Sequence, residues 1–337
     1  MLHHGGNVAE VAKKYSIPVG LWLDLSTGIA PVGYSVPVLP AEVWRKLPLC
    51  SASLIEAARA YYQATDVYPV SGSQQGIQAL PLYRRNLGKN NGTVWVPFQG
   101  YKEHEKAWRS AGFPVRHYTT LPDVEALSHQ DVVIVINPNN PSGQVQPFGK
   151  LEALHQRLAE RDGWLVVDEA FGDAAASFTS AIPLAREGHC FVLRSAGKFF
   201  GLAGLRIGFV IAQQRHLQAL ILAIGPWSVN GPALFIMEEA LNDTRWQQTQ
   251  RRMLEQCSTS LHQVLKTFLG ADSTGTYLFR TTYLNNAEAI HRYLCLHGIY
   301  TRLTDEKDAI RFGVPGNSDL PRLKAVLEAY SNTDGVS

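Results

Sequence analysis

The stretch Val132-Val-Ile-Val-Ile-Asn-Pro-Asn-Asn-Pro-Ser-Gly143 sets five consecutive β-branched apolar residues directly against a rigid polar loop. A short run that is apolar on both alternating faces reads as a strand covered on both sides, the habit of parallel sheets. The same grammar recurs outward from it. Thr93–Val96, Leu165–Val167, Phe191–Leu193 and Ile207–Ile211 read as further short strands, with helical patterns over Ser73–Arg85, Lys102–Ala111 and Phe148–Arg161. Such alternation specifies βαβ units: an α/β fold with a mostly parallel central sheet sandwiched by helices.

After Pro226 the texture changes to one long helical pattern, Pro232–Leu265, and then to strands around Leu278–Thr281 and Ile310–Gly313, which predicts a smaller α+β domain. The expected division is an N-terminal segment, 1–35, that packs with the small domain and over the active site, a large domain over 36–240 and the small domain over 241–337.

Composition removes several classes of function. With 31 Lys+Arg against 29 Asp+Glu the net charge is +2, which gives no field for nucleic acid or an anionic membrane surface. Apolar runs such as Leu217–Ile224 fall far short of the roughly 20 residues that cross a bilayer. No basic stretch followed by an apolar one opens the sequence, so a cytoplasmic setting is expected. Cys50, Cys190, Cys257 and Cys295 never approach a Cys-x-x-Cys spacing, and no metal site is expected from them.

The chemistry gathers at strand ends. In Arg194-Ser-Ala-Gly-Lys-Phe-Phe-Gly-Leu-Ala-Gly-Leu-Arg206 a single lysine, Lys198, stands among small and apolar residues. Desolvation favours a neutral amine, the form that adds to an aldehyde. Ser195 and Arg206 flank it and suit an anion, and the three together suggest pyridoxal phosphate. Asp168 closes the strand of Val166-Val-Asp-Glu-Ala-Phe171, where a carboxylate can keep a pyridine nitrogen protonated. Asn140 lies in the polar loop of the opening stretch. Gly72-Ser73-Gln74 begins a helix, where backbone N–H groups attract phosphate, and Tyr101 follows another strand and can stack on a planar ring. Each residue has an ordinary structural reading too: a solvated lysine, a capping Asp, turn asparagines, a plain helix start, a core tyrosine. Their succession at the ends of consecutive strands is what points to one crevice.

This constellation resembles the fold-type I pyridoxal-phosphate enzymes of the aminotransferase class, which includes the histidinol-phosphate aminotransferases. His4-Gly-Gly-Asn7, Asp24-Leu-Ser-Thr-Gly28 and Pro226-Trp-Ser-Val-Asn230 further resemble the threonine-phosphate decarboxylases of cobalamin biosynthesis. The resemblance implies Lys198, Asp168 and Tyr101 as the catalytic group, and Gly72, Ser73, Gln74, Tyr101, Asn140, Asp168, Ser195, Lys198 and Arg206 around the cofactor. It implies His4, Gly5, Gly28, Asn140, Arg302 and Arg311 around a small phosphorylated amino acid, whose two anions suit the arginine fork. It also implies a homodimer. The activity implied is decarboxylation of L-threonine O-3-phosphate, with a histidinol-phosphate or related aminotransferase as the alternative and a non-catalytic pyridoxal-phosphate-binding protein as the lesser one. Three positions depart from the family pattern: Phe171 stands where many members carry Tyr, Ala30 where Asn is frequent, and Leu47-Pro48 where Tyr-Pro is frequent.

Overall fold

The computed structural model describes residues 5–334. In chain order the strands are β1 (Leu23–Asp24), β2 (Val67–Val70), β3 (Val94–Pro97), β4 (Val115–Tyr118), β5 (Val132–Ile136), β6 (Trp164–Asp168), β7 (Cys190–Arg194), β8 (Gly208–Ile211), β9 (Ser273–Thr276), β10 (Phe279–Tyr283), β11 (Ile299–Tyr300), β12 (Arg302–Leu303) and β13 (Ala309–Gly313). They fall in two compact units, one comprising Met1–Gly33, Pro141–Gly143 and Gln248–Ser337, the other Tyr34–Asn140 and Gln144–Gln247.

The larger unit is built on a seven-stranded sheet in the order β2-β8-β7-β6-β5-β3-β4. Every neighbour pair is parallel except those of β8, which runs antiparallel to both β2 and β7. One topological consequence fixes everything below. The C-terminal ends of β2, β3, β5, β6 and β7 and the N-terminal end of β8 all lie along the same edge of the sheet. That edge receives the residues after each strand, as in other open α/β sheets.

All residues of β5, β6 and β7 are buried, so these strands are apolar on both faces. Ile77, Leu80, Trp108, Ile134, Trp164, Val166 and Phe191 lie in one core cluster, which the helices Gly72–Asn86 and Glu103–Ser110 help to cover. In the smaller unit β12-β13-β10-β9 form an antiparallel sheet and β1 pairs in parallel with β11. Its own core joins Leu25, Leu261, Leu265, Ile290, Leu294, Phe312 and Leu323.

The long helix expected over 232–265 is two helices, Gly231–Asn242 and Thr244–Leu269. Asp243 breaks it: its backbone leaves the helical region, and its carboxylate accepts the Trp246 N–H at 2.9 Å, capping the second helix. Hydrophobic periodicity runs through such a break because both helices keep an apolar face. Among the described residues no helix is long and apolar enough to cross a membrane.

Two histidines, one buried and one half-buried, are desolvated at a cost that depends on pH. His216 is hydrogen-bonded to the Tyr83 hydroxyl at 2.8 Å beside Trp164 and Phe191, and burial pushes its pKa down to about 4. His291 pairs with Thr301 in the smaller unit and is likewise pushed down to about 4, first by burial and then by Lys14 and Arg302. A folded-state pKa below the unfolded one means that the unfolded chain binds more protons between the two values. Stability is therefore lost as pH falls from about 6.5 to about 4. Thermal unfolding midpoints should drop across that window, and His216→Asn, which keeps a polar partner for Tyr83 but takes up no proton there, should reduce the drop. An unchanged slope in the variant would contradict this.

Candidate active site

The stretch expected to take a phosphate is shaped by backbone geometry. Helix Gly72–Asn86 starts after β2 without a side-chain cap, since Ser71 does not bond its first turn. Gly72 adopts φ +68°, and a Cβ there would stand 3.0 Å from the Arg206 guanidinium. A side chain at 72 would thus fill the space between the helix start and the arginine. Ser195 precedes the turn Ala196–Phe199 and does not cap it. Uncapped N–H groups and the Arg206 guanidinium around a cradle that only glycine leaves open fit a phosphate.

Arg206 is held in a left-handed conformation, φ 54°. Asn230, the last residue of the Pro226-Trp-Ser-Val-Asn motif, helps to fix it. Its side-chain oxygen caps helix Gly231–Asn242 through Ala233 N–H at 2.9 Å, and its amide donates to the Leu205 carbonyl at 3.1 Å. The motif thereby ties a helix start to the residue before Arg206.

Asp168, the last residue of β6, is almost fully buried. Its Oδ2 lies 2.8 Å from His104 Nε2, with side-chain exposures of 4% and 2%, and its Oδ1 accepts the Ala170 N–H at 3.1 Å. The carboxylate is therefore locked in one rotamer rather than lost to solvent. Sequence reading missed His104; its only signal was its position three residues after Tyr101, just inside the next helix.

Lys198 Nζ stands 4.7 Å from the centre of the Phe171 ring, and Ala196, Gly197, Phe199 and Phe200 around it are buried. The phenylalanine that replaces the family's tyrosine thus gives the amine an aromatic face instead of a hydroxyl. Asn140 lies within the loop that runs from β5 to helix Phe148–Glu160, in which Asn137–Pro138 is cis and Asn139 donates to the Gln99 carbonyl at 3.1 Å. Tyr101 donates its hydroxyl to Gln74 at 3.1 Å, so the Gln74 amide is engaged by a neighbour.

Beneath this edge lies an ion cluster that the sequence did not reveal. Glu169 accepts from Ser180 Oγ at 2.6 Å and Ala181 N–H at 2.7 Å, and Arg194 reaches Glu169 and Asp173, each at 3.5 Å. Burial works against the Arg194 charge, but Asp173 and Glu169 hold its pKa above the ordinary value, and the guanidinium lies over the Tyr62 ring. Glu169 follows Asp168 and Arg194 precedes Ser195, so the cluster pins the ends of β6 and β7.

In the smaller unit Arg302 and Arg311 are cross-strand partners on β12 and β13. Arg311 is buried and donates to the Ser26 carbonyl at 2.6 Å; burial, and then Arg302, push its pKa down to about 10. Arg302 pairs with Asp305 at 3.0 Å. Ser26 also receives the Gly6 N–H on its hydroxyl at 2.7 Å, and a Cβ on Gly5 would lie 2.3 Å from the Ser26 carbonyl oxygen. The N-terminal glycines therefore lie against the carbonyl that holds Arg311. Gly28 is buried, and His4 lies outside the described residues.

A family profile for aminotransferase class I and II matches residues 48–314. The chain belongs to the aminotransferase class I and II family. It is 43% identical over 331 residues to a threonine-phosphate decarboxylase of Pseudomonas aeruginosa, covering 98% of both chains. A histidinol-phosphate aminotransferase of Sodalis glossinidius is 36% identical over 244 residues, 70% of this chain and 67% of that enzyme. The fold matches a histidinol-phosphate aminotransferase of Sinorhizobium meliloti, solved with pyridoxal-5'-phosphate, with a TM-score of 0.81 over 98% of this chain and 96% of that one at 17% identity.

The buried cluster gives a direct stability test. Arg194→Met leaves Glu169 and Asp173 buried without their cation and should lower unfolding free energy by roughly 3–5 kcal/mol in denaturant. A loss below about 1 kcal/mol would mean that the cluster is not a structural pin.

Proposed function

We propose that this chain is a pyridoxal-phosphate-dependent decarboxylase that converts L-threonine O-3-phosphate to (R)-1-aminopropan-2-ol O-2-phosphate and carbon dioxide, a step of cobalamin biosynthesis. The observation that carries the reading is the 43% identity to a threonine-phosphate decarboxylase along 98% of both chains. The glycine-lined cradle between the uncapped helix start and Arg206 supports the cofactor, as does the buried carboxylate at the end of β6.

Pyridoxal phosphate, when bound, supplies an aldehyde for a primary amine and a conjugated ring that accepts the electron pair of a bond breaking at Cα. Lys198 provides the amine that holds it. The first-turn N–H groups from Gly72 and Ser73, with Ser195 and Arg206, take its phosphate. Asp168, oriented by His104, would keep the proton on the pyridine nitrogen, and Tyr101 and Asn140 would hold the ring. Arg302 and Arg311 each take one substrate anion, and His4, Gly5, Gly28 and Asn140 complete the substrate contacts. Holding both anions would fix the orientation of the substrate and so which bond at Cα is set to break. Lys198, or a water beside it, would give a proton to Cα, so the product differs from the substrate by its carboxylate replaced with hydrogen.

A homodimer and a cytoplasmic location belong to the same proposal. Val38, Leu49 and Leu222 are 97%, 80% and 84% exposed in the single chain.

The histidinol-phosphate aminotransferase relative makes transamination the reading to test against. Supplied with L-threonine O-3-phosphate, the loaded protein should release carbon dioxide and aminopropanol phosphate in equal amounts without 2-oxoglutarate. Absence of carbon dioxide would overturn the decarboxylase reading, and product formed only with the keto acid would assign the protein to transamination. Lys198→Ala should abolish the borohydride-reducible link to the cofactor; a persisting reducible link would show that another lysine carries it.

A further inference from the structure

Three side chains next to the proposed ring site form a hydrogen-bonded chain whose polarity can be derived. Glu103, the first residue of helix Glu103–Ser110, is buried, and its Oε2 accepts from Gln74 Nε2 at 2.9 Å. Its other oxygen faces Lys106 Nζ at 3.6 Å. A carboxylate only accepts, so Glu103 can face only the NH₂ of the Gln74 amide. The Gln74 carbonyl oxygen is then turned the other way, toward Tyr101, whose hydroxyl lies 3.1 Å from it. An amide oxygen also only accepts. The single proton of Tyr101 must therefore point at Gln74, and the phenol oxygen keeps only lone pairs for any other contact.

We propose that Glu103 is a positioning residue that, acting through Gln74, commits the hydroxyl proton of Tyr101 and makes Tyr101 a fixed aromatic plate and hydrogen-bond acceptor, never an acid in the reaction. Its functional meaning rests on the reading of Tyr101 as the residue over the cofactor ring. Proton return to Cα is then left to Lys198 or a water. Electrostatics agree with the geometry: burial, then Asp168 and Glu103, push the Tyr101 pKa up to about 12, against a smaller opposing pull from Arg206. No charge is left for the phenol to gain or lose near neutrality.

The test needs neither cofactor nor turnover. With 3-fluorotyrosine at position 101 of the full-length protein, the ¹⁹F resonance reports ionisation of that phenol alone. The wild-type resonance should keep its neutral position beyond pH 9. Glu103→Gln is nearly isosteric but removes the negative charge and lets the Gln74 amide turn over, so the midpoint should fall by about one pH unit, roughly a tenfold loss of proton affinity. The exchanged pair, Gln74→Glu with Glu103→Gln, again offers Tyr101 only acceptor oxygens and should raise the midpoint back to the wild-type value or above. A residue that merely packs would shift the thermal midpoint in Glu103→Gln and leave the Tyr101 titration in place. The proposal is overturned if Glu103→Gln titrates with the wild type, if the exchanged pair titrates with Glu103→Gln, or, should neither variant fold, if the wild-type phenol ionises below pH 9. These readings stand whether or not the loaded enzyme releases carbon dioxide, so failure of the decarboxylase reading and failure of this one are separately visible.

Discussion

A carboxylate removed from water must be given hydrogen-bond donors or a cation, and the end of β6 carries two of them in succession. Successive side chains on a strand point to opposite faces, so Asp168 and Glu169 cannot share one solution. Asp168 is met by His104 and the Ala170 N–H, Glu169 by Ser180, Ala181 and Arg194. The two solutions recruit the helix after Tyr101 on one side and the end of β7 on the other. Residues proposed to touch the cofactor are thus held by neighbours whose own burial forces them into place. Removing a partner leaves a buried charge, which costs far more than the loss of one contact.

Much of this was legible from the order of residues. β5 was read to its observed bounds because five β-branched residues in a row have few alternatives, and β6 and β7 were each short by one residue at either end. Lys198, Asp168, Asn140 and the Gly72 helix start stand out because each follows an apolar run, and a mostly parallel sheet carries such positions to one edge. The break at Asp243 was missed because a capping aspartate inside an apolar period looks like any polar residue on the outer face. His104, Glu103, Arg194 and Ser26 were missed for a different reason. Their meaning lies in partners 64, 29, 25 and 285 positions away, and no local pattern carries that information.

The family's shared geometry accounts for cofactor binding and leaves the fate of the substrate to the residues that orient it. Within the smaller unit, Arg311 donates to the Ser26 carbonyl. Beside it, Arg302 adds a second positive charge on the neighbouring strand. Two like charges kept adjacent are unfavourable by themselves and favour binding of anions. Near-neutral overall charge and two adjacent arginines, one of them paired with Asp305, are compatible because the demand is local: the proposed substrate, with two anionic ends, would read a few ångströms of surface, not the whole molecule.

The central claim is that the buried Asp168 is the partner of the cofactor's ring nitrogen. Loading the protein with pyridoxal phosphate labelled with ¹⁵N in the ring and recording its nitrogen resonance tests this most directly. A protonated ring nitrogen at neutral pH in the wild type, lost in Asp168→Ala, is the predicted result; an unprotonated nitrogen in the wild type, or the same protonated signal in both proteins, would contradict it.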